Sequence, residues 1–198
     1  VVANGHHWDP HGPDPAPSGR FDGLQFHSHA YRNPRDPVDL VGKRVVVAGL
    51  GNSAVDIATE LGSRAVSERV VLAVRRGAWI LPKWFMGTPI TRLPQPQNLF
   101  PWMPWQVTSA IMGAVMRLQF GSPQDYGLPR PDHRPLQSHP TVSQDLLSRI
   151  GHGDVTVKPP IREFRGPRVV FEDGSAEEVD AVIWCTGYRV SFPFFDPA

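Results

Sequence analysis

The sequence has a single cysteine, almost no net charge and no long uninterrupted apolar run. Because Cys185 has no second thiol to pair with in the chain, an intrachain disulfide is excluded, and the sequence fits a reducing compartment. A formal net charge of +1 over 198 residues gives no electrostatic argument for nucleic acid as a partner. We therefore expect a cytoplasmic protein whose main partner is neither nucleic acid nor an anionic membrane.

The longest apolar-rich stretch, 99–120, falls short of a transmembrane segment. Pro101 and Pro104 interrupt it, and it contains the polar residues Gln106 and Arg117, whereas a membrane span needs roughly 20 consecutive apolar residues. The pattern instead predicts an amphipathic helix over about 105–118. We expect this helix to pack on the protein or to line a substrate passage; peripheral membrane contact is the less favoured alternative.

Residue patterns for metal binding and for hydrolysis are also missing. The eight histidines include no helical His-x-x-x-His pair, and the one cysteine lies in an apolar run, so no metal site is predicted. No Gly-x-Ser-x-Gly motif is present to supply a nucleophilic serine. We assign no catalytic residue from the sequence.

The most informative feature present is the segment 49–54, Gly-Leu-Gly-Asn-Ser-Ala, which follows the apolar run 45–48. A helical pattern comes after it, with one apolar face formed by Ala54, Ile57, Ala58 and Leu61. The order strand, glycine turn, helix is typical of a dinucleotide site, where glycines let backbone N–H groups approach a pyrophosphate. The alternative is an ordinary strand-to-helix turn.

A second apolar run, 70–74, ends in the pair Arg75 and Arg76. Enzymes that use NAD tend to place a carboxylate at the end of this second strand, where it binds the ribose hydroxyls. Because arginine favours a 2′-phosphate instead, the pair predicts NADP(H). The alternative is a solvated basic pair without a ligand.

The rest of the chain is organised by proline, glycine and short apolar runs. Residues 9–38 have the composition of an extended surface connection, 82–104 that of an ordered irregular insertion, and 126–140 that of a proline-rich loop. Residues 141–144 are typical of a capped helix start. A small strand meander is predicted from four apolar runs, at 155–157, 161–164, 169–171 and 179–184.

Four ordered motifs make the sequence resemble the flavin-containing monooxygenases, the class B flavoprotein oxygenases. Residues 21–31 match the pattern Phe-x-Gly-x-x-x-His-x-x-x-Tyr, and 49–56 resemble the family's second glycine motif. Residues 75–79 resemble its 2′-phosphate clamp, and 180–188 its returning Ala-Thr-Gly-Tyr link, with cysteine in place of alanine. Tyr31, where Baeyer–Villiger enzymes usually have tryptophan, favours the branch that oxidises heteroatoms.

The resemblance implies an α/β fold: a Rossmann-like NADPH-binding domain of a flavoprotein with two dinucleotide-binding domains, with a small β-meander and pieces of the FAD domain at both ends. On this basis 1–8 ends an FAD-domain segment and 9–38 is a linker that carries the motif of 21–31. Residues 39–180 form the NADP(H)-binding domain with a proline-rich insertion, and 181–198 return to the FAD domain. The family's first Gly-x-Gly-x-x-Gly motif and an initiator methionine are missing, so we expect a fragment.

The resemblance also implies FAD and NADP(H) as cofactors, O₂ and a small molecule as substrates, and a flavin hydroperoxide that oxygenates nucleophilic nitrogen or sulfur, or a carbonyl. His27 and Tyr31 are expected to brace the link between the domains. The implied cofactor-binding residues are Gly49, Gly51, Asn52 and Ser53 at the pyrophosphate, Arg75 and Arg76 at the 2′-phosphate, and Thr186 and Gly187 near FAD.

Two other functions remain open from the sequence. A flavin disulfide reductase-like NADPH oxidoreductase shares the paired dinucleotide architecture but needs a redox pair of cysteines. A non-catalytic NADP-binding module needs only the glycine turn and the arginines. The sequence does not specify the substrate or the oligomeric state.

Overall fold

The computed structural model describes residues 3, 5, 7–63, 66–85, 87–92, 101–135, 137–138 and 140–192. Part of the predicted insertion, 93–100, lies outside them, as does Met86. The helices are α1 (Asn52–Leu61), α2 (Trp105–Phe120) and α3 (Leu146–Gly151). The strands are β1 (Asp9–Pro10), β2 (Ser18–Phe21), β3 (Leu24–His27), β4 (Arg44–Ala48), β5 (Arg69–Ala73), β6 (Ile80–Leu81), β7 (Trp84–Phe85), β8 (Thr88–Pro89), β9 (Thr141–Val142), β10 (Val155–Lys158), β11 (Ile161–Gly166), β12 (Arg168–Phe171), β13 (Ala176–Glu178), β14 (Ala181–Trp184) and β15 (Tyr188–Arg189).

The centre of the fold is a five-stranded parallel sheet in the order β10, β5, β4, β14, β3. The central strands are almost continuously apolar, and β14 is buried along its whole length. Such runs suit a parallel sheet, because both of its faces are covered by other layers. The predicted order of strand, glycine turn, helix and strand is confirmed by β4, α1 and β5.

Helices cover one face of this sheet. The predicted apolar face of α1 is buried, since Ala54, Ile57, Ala58 and Leu61 all belong to the core that packs against Val45 and Val47 of β4. Leu146 of α3 joins the same core. Helix α1 is the crossover connection between β4 and β5, which neighbouring parallel strands require.

A four-stranded sheet covers the other face, in the order β13, β12, β11, β2. Strands β11, β12 and β13 are consecutive antiparallel neighbours, and β2 pairs parallel to β11. Phe164 and Phe171 from this sheet pack against Val46, Val71 and Trp184 of the parallel sheet. The protein therefore has three layers, and the predicted α/β fold with a small meander is confirmed.

The meander contains fewer strands of the predicted set than the four apolar runs indicated. The runs at 155–157 and 179–184 supply β10 and β14 to the parallel sheet, and only β11 to β13 form the meander. Short apolar runs identify strands but not their neighbours, because pairing depends on residues far away in the chain.

The prediction that 9–38 is an extended surface connection, with no strand in a sheet, was wrong. It contains β1, β2 and β3, and β3 forms an edge of the parallel sheet beside β14. The sheet thus includes strands on both sides of the predicted 39–180 unit. The domain boundaries themselves stay predictions.

The starts of β4 and β14 are fastened by a charged pair. The backbone N–H of Arg44 donates to Oδ2 of Asp180 at 2.8 Å, and its guanidinium reaches Oδ1 at 3.0 Å. These hydrogen bonds hold the pKa of Asp180 below its usual range. The pair fixes the register of the two strands that flank the site described below.

The helix predicted over about 105–118 is present as α2, but the prediction that it is amphipathic was wrong, because its exposed side carries large apolar residues and its buried side includes polar residues. Ser109 and Met116 on one side are buried, whereas Ile111 and Leu118 on the other side are exposed. Among the described residues, none of the helices combines the length and the apolar character that crossing a bilayer requires. The next predicted helix begins later than 141–144, at Leu146, whose N–H donates to the hydroxyl of Ser143.

Candidate functional site: a cleft at the carboxyl ends of the parallel strands

A cleft of about 620 Å³ opens where β4, β5 and β14 end. Of the residues predicted from the sequence, it is lined by Gly49, Gly51, Arg75, Arg76 and Thr186. The chain continues from β4 to β5 on one side, while β14 on the other side comes much later in the sequence. In open parallel sheets, ligands bind at the carboxyl ends of the strands where the order reverses in this way.

Gly49 is required by the fold itself. Its φ of +134° is rarely adopted by residues with a side chain, and a Cβ there would lie 2.6 Å from the carbonyl oxygen of Cys185. The Gly49 N–H donates to the carbonyl of Ala73 at 2.9 Å. This glycine lets the ends of β4, β5 and β14 come together.

Gly51 has a different role, because no part of the folded chain would clash with a side chain at this position. It caps the N-terminus of α1 in an extended conformation that any residue adopts, and a Cβ there would meet no atom within 4 Å. The result is open space in front of the first backbone N–H groups of a ten-residue helix. This arrangement fits a pyrophosphate, which binds backbone N–H groups at the positive end of a helix dipole.

The third position of the glycine motif packs in the core. Ala54 is fully buried, so its small side chain serves the close approach of α1 to the sheet. The same role is given to the last small residue of dinucleotide-binding turns in general.

Asn52 and Ser53 lie in the first turn of α1 beside the cleft but are not part of its lining. Asn52 Oδ1 accepts a hydrogen bond from the backbone N–H of Val142 at 2.8 Å, which ties the helix start to β9. The side-chain NH₂ group of Asn52 is then the part that can donate to a ligand. Ser53 is exposed.

Arg75 and Arg76 follow β5 after one intervening residue, Val74, and both are exposed on the cleft. The next residue, Gly77, pairs with Pro131, and a Cβ on it would lie 2.2 Å from the carbonyl of Pro129. Close backbone packing therefore fixes the segment that carries the two arginines.

The proline-rich loop adds residues that the sequence did not predict. Asp132 and His133 line the cleft beside the arginines, and their side chains are 2.9 Å apart. The hydrogen bond from His133, together with the positive charges of His133 and Arg76, lowers the pKa of Asp132. Asp132 therefore places a carboxylate on the same cleft as Arg76.

Thr141 is a third residue that the sequence did not indicate. Its hydroxyl donates to the carbonyl of Leu50 at 2.8 Å, so it holds the middle of the glycine turn. The contact joins residues 91 positions apart. Local patterns carry no signal for such a contact.

Thr186 and Gly187 connect the cleft to the beginning of the chain. The Thr186 hydroxyl donates to the carbonyl of His11, and the His11 N–H donates to the carbonyl of Gly187 at 3.0 Å. Strands β1 and β15 then pair antiparallel. Thr186 lines the cleft and Gly187 lies just outside its lining.

The segment 21–31 braces the fold around the cleft. Tyr31 donates to Glu60 of α1 at 3.0 Å, and its burial raises its pKa above the ordinary value. A Cβ on Gly23 would lie 2.7 Å from the carbonyl of Asp180. His27 is in β3, opposite Trp184 of β14, and burial lowers its pKa.

A comparison with known protein families identifies the family of the chain. The model of the flavin-binding monooxygenase-like proteins matches residues 1–198. The chain belongs to this family. The resemblance carried by the four sequence motifs is thereby confirmed.

Curated flavin-containing monooxygenases share more than a third of their aligned residues with the chain. Flavin-containing monooxygenase 5 of Rattus norvegicus is 40% identical over 203 residues, and N-oxide-forming dimethylaniline monooxygenase 2 of the same species is 37% identical over 206. Each match covers 99% of the chain and 37% of the relative. The chain thus spans little more than a third of the length of these relatives.

Solved structures show the same fold at lower identity. Cyclohexanone monooxygenase from Rhodococcus sp. Phi1 bound to NADP⁺ superimposes with a TM-score of 0.68 at 18% identity, covering 94% of the chain and 45% of that protein. A flavin-containing monooxygenase from Stenotrophomonas maltophilia gives a TM-score of 0.57 at 22% identity, with 94% and 41% covered. Both similarities support the α/β architecture.

Proposed function

We propose that the chain is the NADPH-binding part of an FAD-dependent monooxygenase. The observation that carries the proposal is the cleft, where the space in front of Gly51 and the pair Arg75 and Arg76 lie on the same rim of the parallel sheet. NADPH carries two anionic groups, a pyrophosphate and a 2′-phosphate. In this cleft the pyrophosphate would bind at the helix N-terminus and the 2′-phosphate at the arginines.

Each predicted residue has a proposed part in holding this cofactor. Gly51 and the N-terminus of α1 bind the pyrophosphate, and the NH₂ of Asn52 and the hydroxyl of Ser53 donate to groups next to it. Gly49 shapes the turn. Arg75 and Arg76 form charge-assisted hydrogen bonds with the 2′-phosphate, the interaction that distinguishes NADPH from NADH.

FAD enters the proposal through family membership. Thr186 and Gly187, at the end of β14 and held by the segment around His11, are the residues we place nearest to it. The bound flavin supplies the redox chemistry with O₂, while the residues of the chain bind and orient the nucleotide that reduces it.

The proposed substrate is a small molecule with a nucleophilic nitrogen or sulfur. Two features support this class. Tyr31 ends the motif of 21–31, and the name of one relative, N-oxide-forming dimethylaniline monooxygenase 2, describes oxidation at nitrogen.

The proposal is tested by calorimetric titration of the purified chain with NADP⁺ and with NAD⁺. We expect NADP⁺ to bind at least about tenfold more tightly, the effect of one charge-assisted contact. Equal affinities would remove the 2′-phosphate site from the proposal. The isolated chain is expected to bind no stoichiometric FAD and to have no NADPH oxidase activity.

A further inference from the structure

A second cavity, of about 660 Å³, lies between α2 and the loop 122–135. It is separated from the cofactor cleft by the segment that pairs Gly77 with Pro131. The indole N–H of Trp79 donates to the carbonyl of His133 at 2.9 Å across the same partition. His133 lines both spaces, so the two lie back to back.

The charges that face this cavity are all of one sign. Arg117 of α2 and Arg130 and Arg134 of the loop line it, and its lining includes no aspartate or glutamate. Within the described part of the chain, none of the three guanidinium groups forms an ion pair with a carboxylate. Because all three arginines are exposed, water screens their mutual repulsion, and the cavity presents net positive charge to an anion.

The rest of the lining combines apolar residues with polar side chains such as Gln106 and Gln124. Trp79, Ala110 and Ala114 contribute to it. The fully buried hydroxyl of Ser109 donates to the carbonyl of Pro135 at 2.7 Å, and a Cβ on Gly113 would lie 3.3 Å from the Pro135 ring. The helix and the loop are thus held at a fixed separation, which keeps the cavity open.

We propose that this cavity is a binding site for a small aromatic carboxylate, separate from the NADP(H) cleft. The apolar part of the wall, Trp79 with Ala110 and Ala114, would contact the ring, and the planar guanidinium groups would bind the carboxylate, for which their paired N–H donors have the matching geometry. A pocket with an apolar lining and a few convergent polar groups is the usual form of a small-molecule site. The arginines at the 2′-phosphate position, Arg75 and Arg76, face the other cleft and take no part in it.

The first test uses 2-naphthoate as the probe and its neutral analogue 2-naphthalenemethanol, titrated calorimetrically into the chain. We expect naphthoate to bind at least about tenfold more tightly than the alcohol, and saturating NADP⁺ to leave its affinity unchanged. Equal binding of the two probes, or no binding of naphthoate, overturns the site. Displacement by NADP⁺ overturns its separation from the cofactor cleft.

Variants locate the binding. Arg117→Gln, Arg130→Gln and Arg134→Gln should each weaken naphthoate binding by about fivefold, a modest effect because all three residues are exposed to solvent. Arg20→Gln, whose side chain is 91% exposed on β2, should leave it unchanged. If all four variants behave alike, attraction to general positive charge explains the binding and the site is refuted.

A charge-neutral variant makes the test independent of electrostatics. Ala114→Phe fills the cavity from α2 and should abolish naphthoate binding, while Val115→Phe, on the neighbouring exposed face, should not. Circular dichroism and NADP⁺ affinity report whether each variant is folded. Undiminished binding to a folded Ala114→Phe protein would also overturn the proposal.

Discussion

The carbonyl oxygen of Cys185 occupies the place that a side chain on Gly49 would need, 2.6 Å from the position of a Cβ. Gly49 follows β4 and Cys185 follows β14, so the contact sets how closely the two strands approach at the cleft. The backbone N–H of Cys185 adds a hydrogen bond to the carbonyl of Ala48 at 2.9 Å. Gly49, a glycine of the predicted cofactor motif, is therefore also required for the packing of β4 against β14.

Gly49→Ala is expected to destabilise the chain. The φ of +134° disfavours any side chain, and the added methyl group must push β4 away from β14. We expect the free energy of unfolding to fall by about 3 kcal/mol or more, measured by urea denaturation. A drop of less than about 0.5 kcal/mol would contradict the close approach of the two strands.

Gly51→Ala is expected to leave stability nearly unchanged and to weaken cofactor binding. Since the added methyl meets no protein atom within 4 Å, stability should stay within about 1 kcal/mol of the original chain. Affinity for NADP⁺ should fall at least about tenfold, because the methyl group occupies the space proposed for the pyrophosphate. Unchanged NADP⁺ affinity in the calorimeter would move the pyrophosphate away from Gly51.

Arg75→Gln and Arg76→Gln are expected to weaken NADP⁺ binding about ten- to a hundredfold each. A charge-assisted hydrogen bond to phosphate is worth about 1.5–3 kcal/mol, and NAD⁺ lacks the phosphate that the arginines would bind. NAD⁺ affinity should therefore barely change, and Arg20→Gln serves as the matched arginine control. Equal losses for both nucleotides would show that the arginines act on a shared part of the cofactor, or only on the fold.

The cleft could be predicted from sequence as far as its parts are local. The apolar strand, the glycine turn and the buried face of α1 all lie within 45–61, and the arginines come at the end of the next strand. The neighbours of β4 were not predictable in this way, because β14 reaches it from far along the chain. Asp132 and Thr141 join the site through equally distant contacts.

The strands missed in 9–38 have a physical explanation in Gly19. Glycine and proline usually indicate loops, but Gly19 lies inside β2, where a Cβ would be 2.1 Å from the carbonyl of Phe164. The close approach of β2 to β11 thus requires a residue that counts against a strand when composition alone is considered. Such a glycine is interpretable only once its partner strand is known.

Asp180→Asn is expected to lower stability in a pH-dependent way. Hydrogen bonds from Arg44, followed by its charge, depress the pKa of Asp180 in the folded chain. A depressed pKa contributes stability above the unfolded value of about 3.9, and that contribution is lost as the pH falls through the folded pKa. Since both side chains are about a third exposed, the effect at pH 7 should be about 1 kcal/mol.

The measurement is urea denaturation of the Asp180→Asn variant and the original chain at several pH values. Their difference should be constant from pH 7 to about pH 5 and should shrink below about pH 4. Asp22→Asn, from a more exposed pair with Arg20 at 3.5 Å, should show little difference at any pH. A difference that grows on acidification would contradict the assigned direction of the pKa shift.

The last prediction concerns the thiol of Cys185, the only cysteine of the chain. Burial raises its pKa to about 12, so the thiolate that reacts with electrophiles is nearly absent at pH 8. Alkylation by iodoacetamide should be about a thousandfold slower than for a free cysteine, and denaturant should restore the ordinary rate. Mass spectrometry of the folded and denatured chain gives both rates. Rapid labelling of the folded chain would show a reactive thiol at the cofactor cleft, which disulfide reductase-like chemistry requires. A half-buried, protonated Cys185 does not provide one.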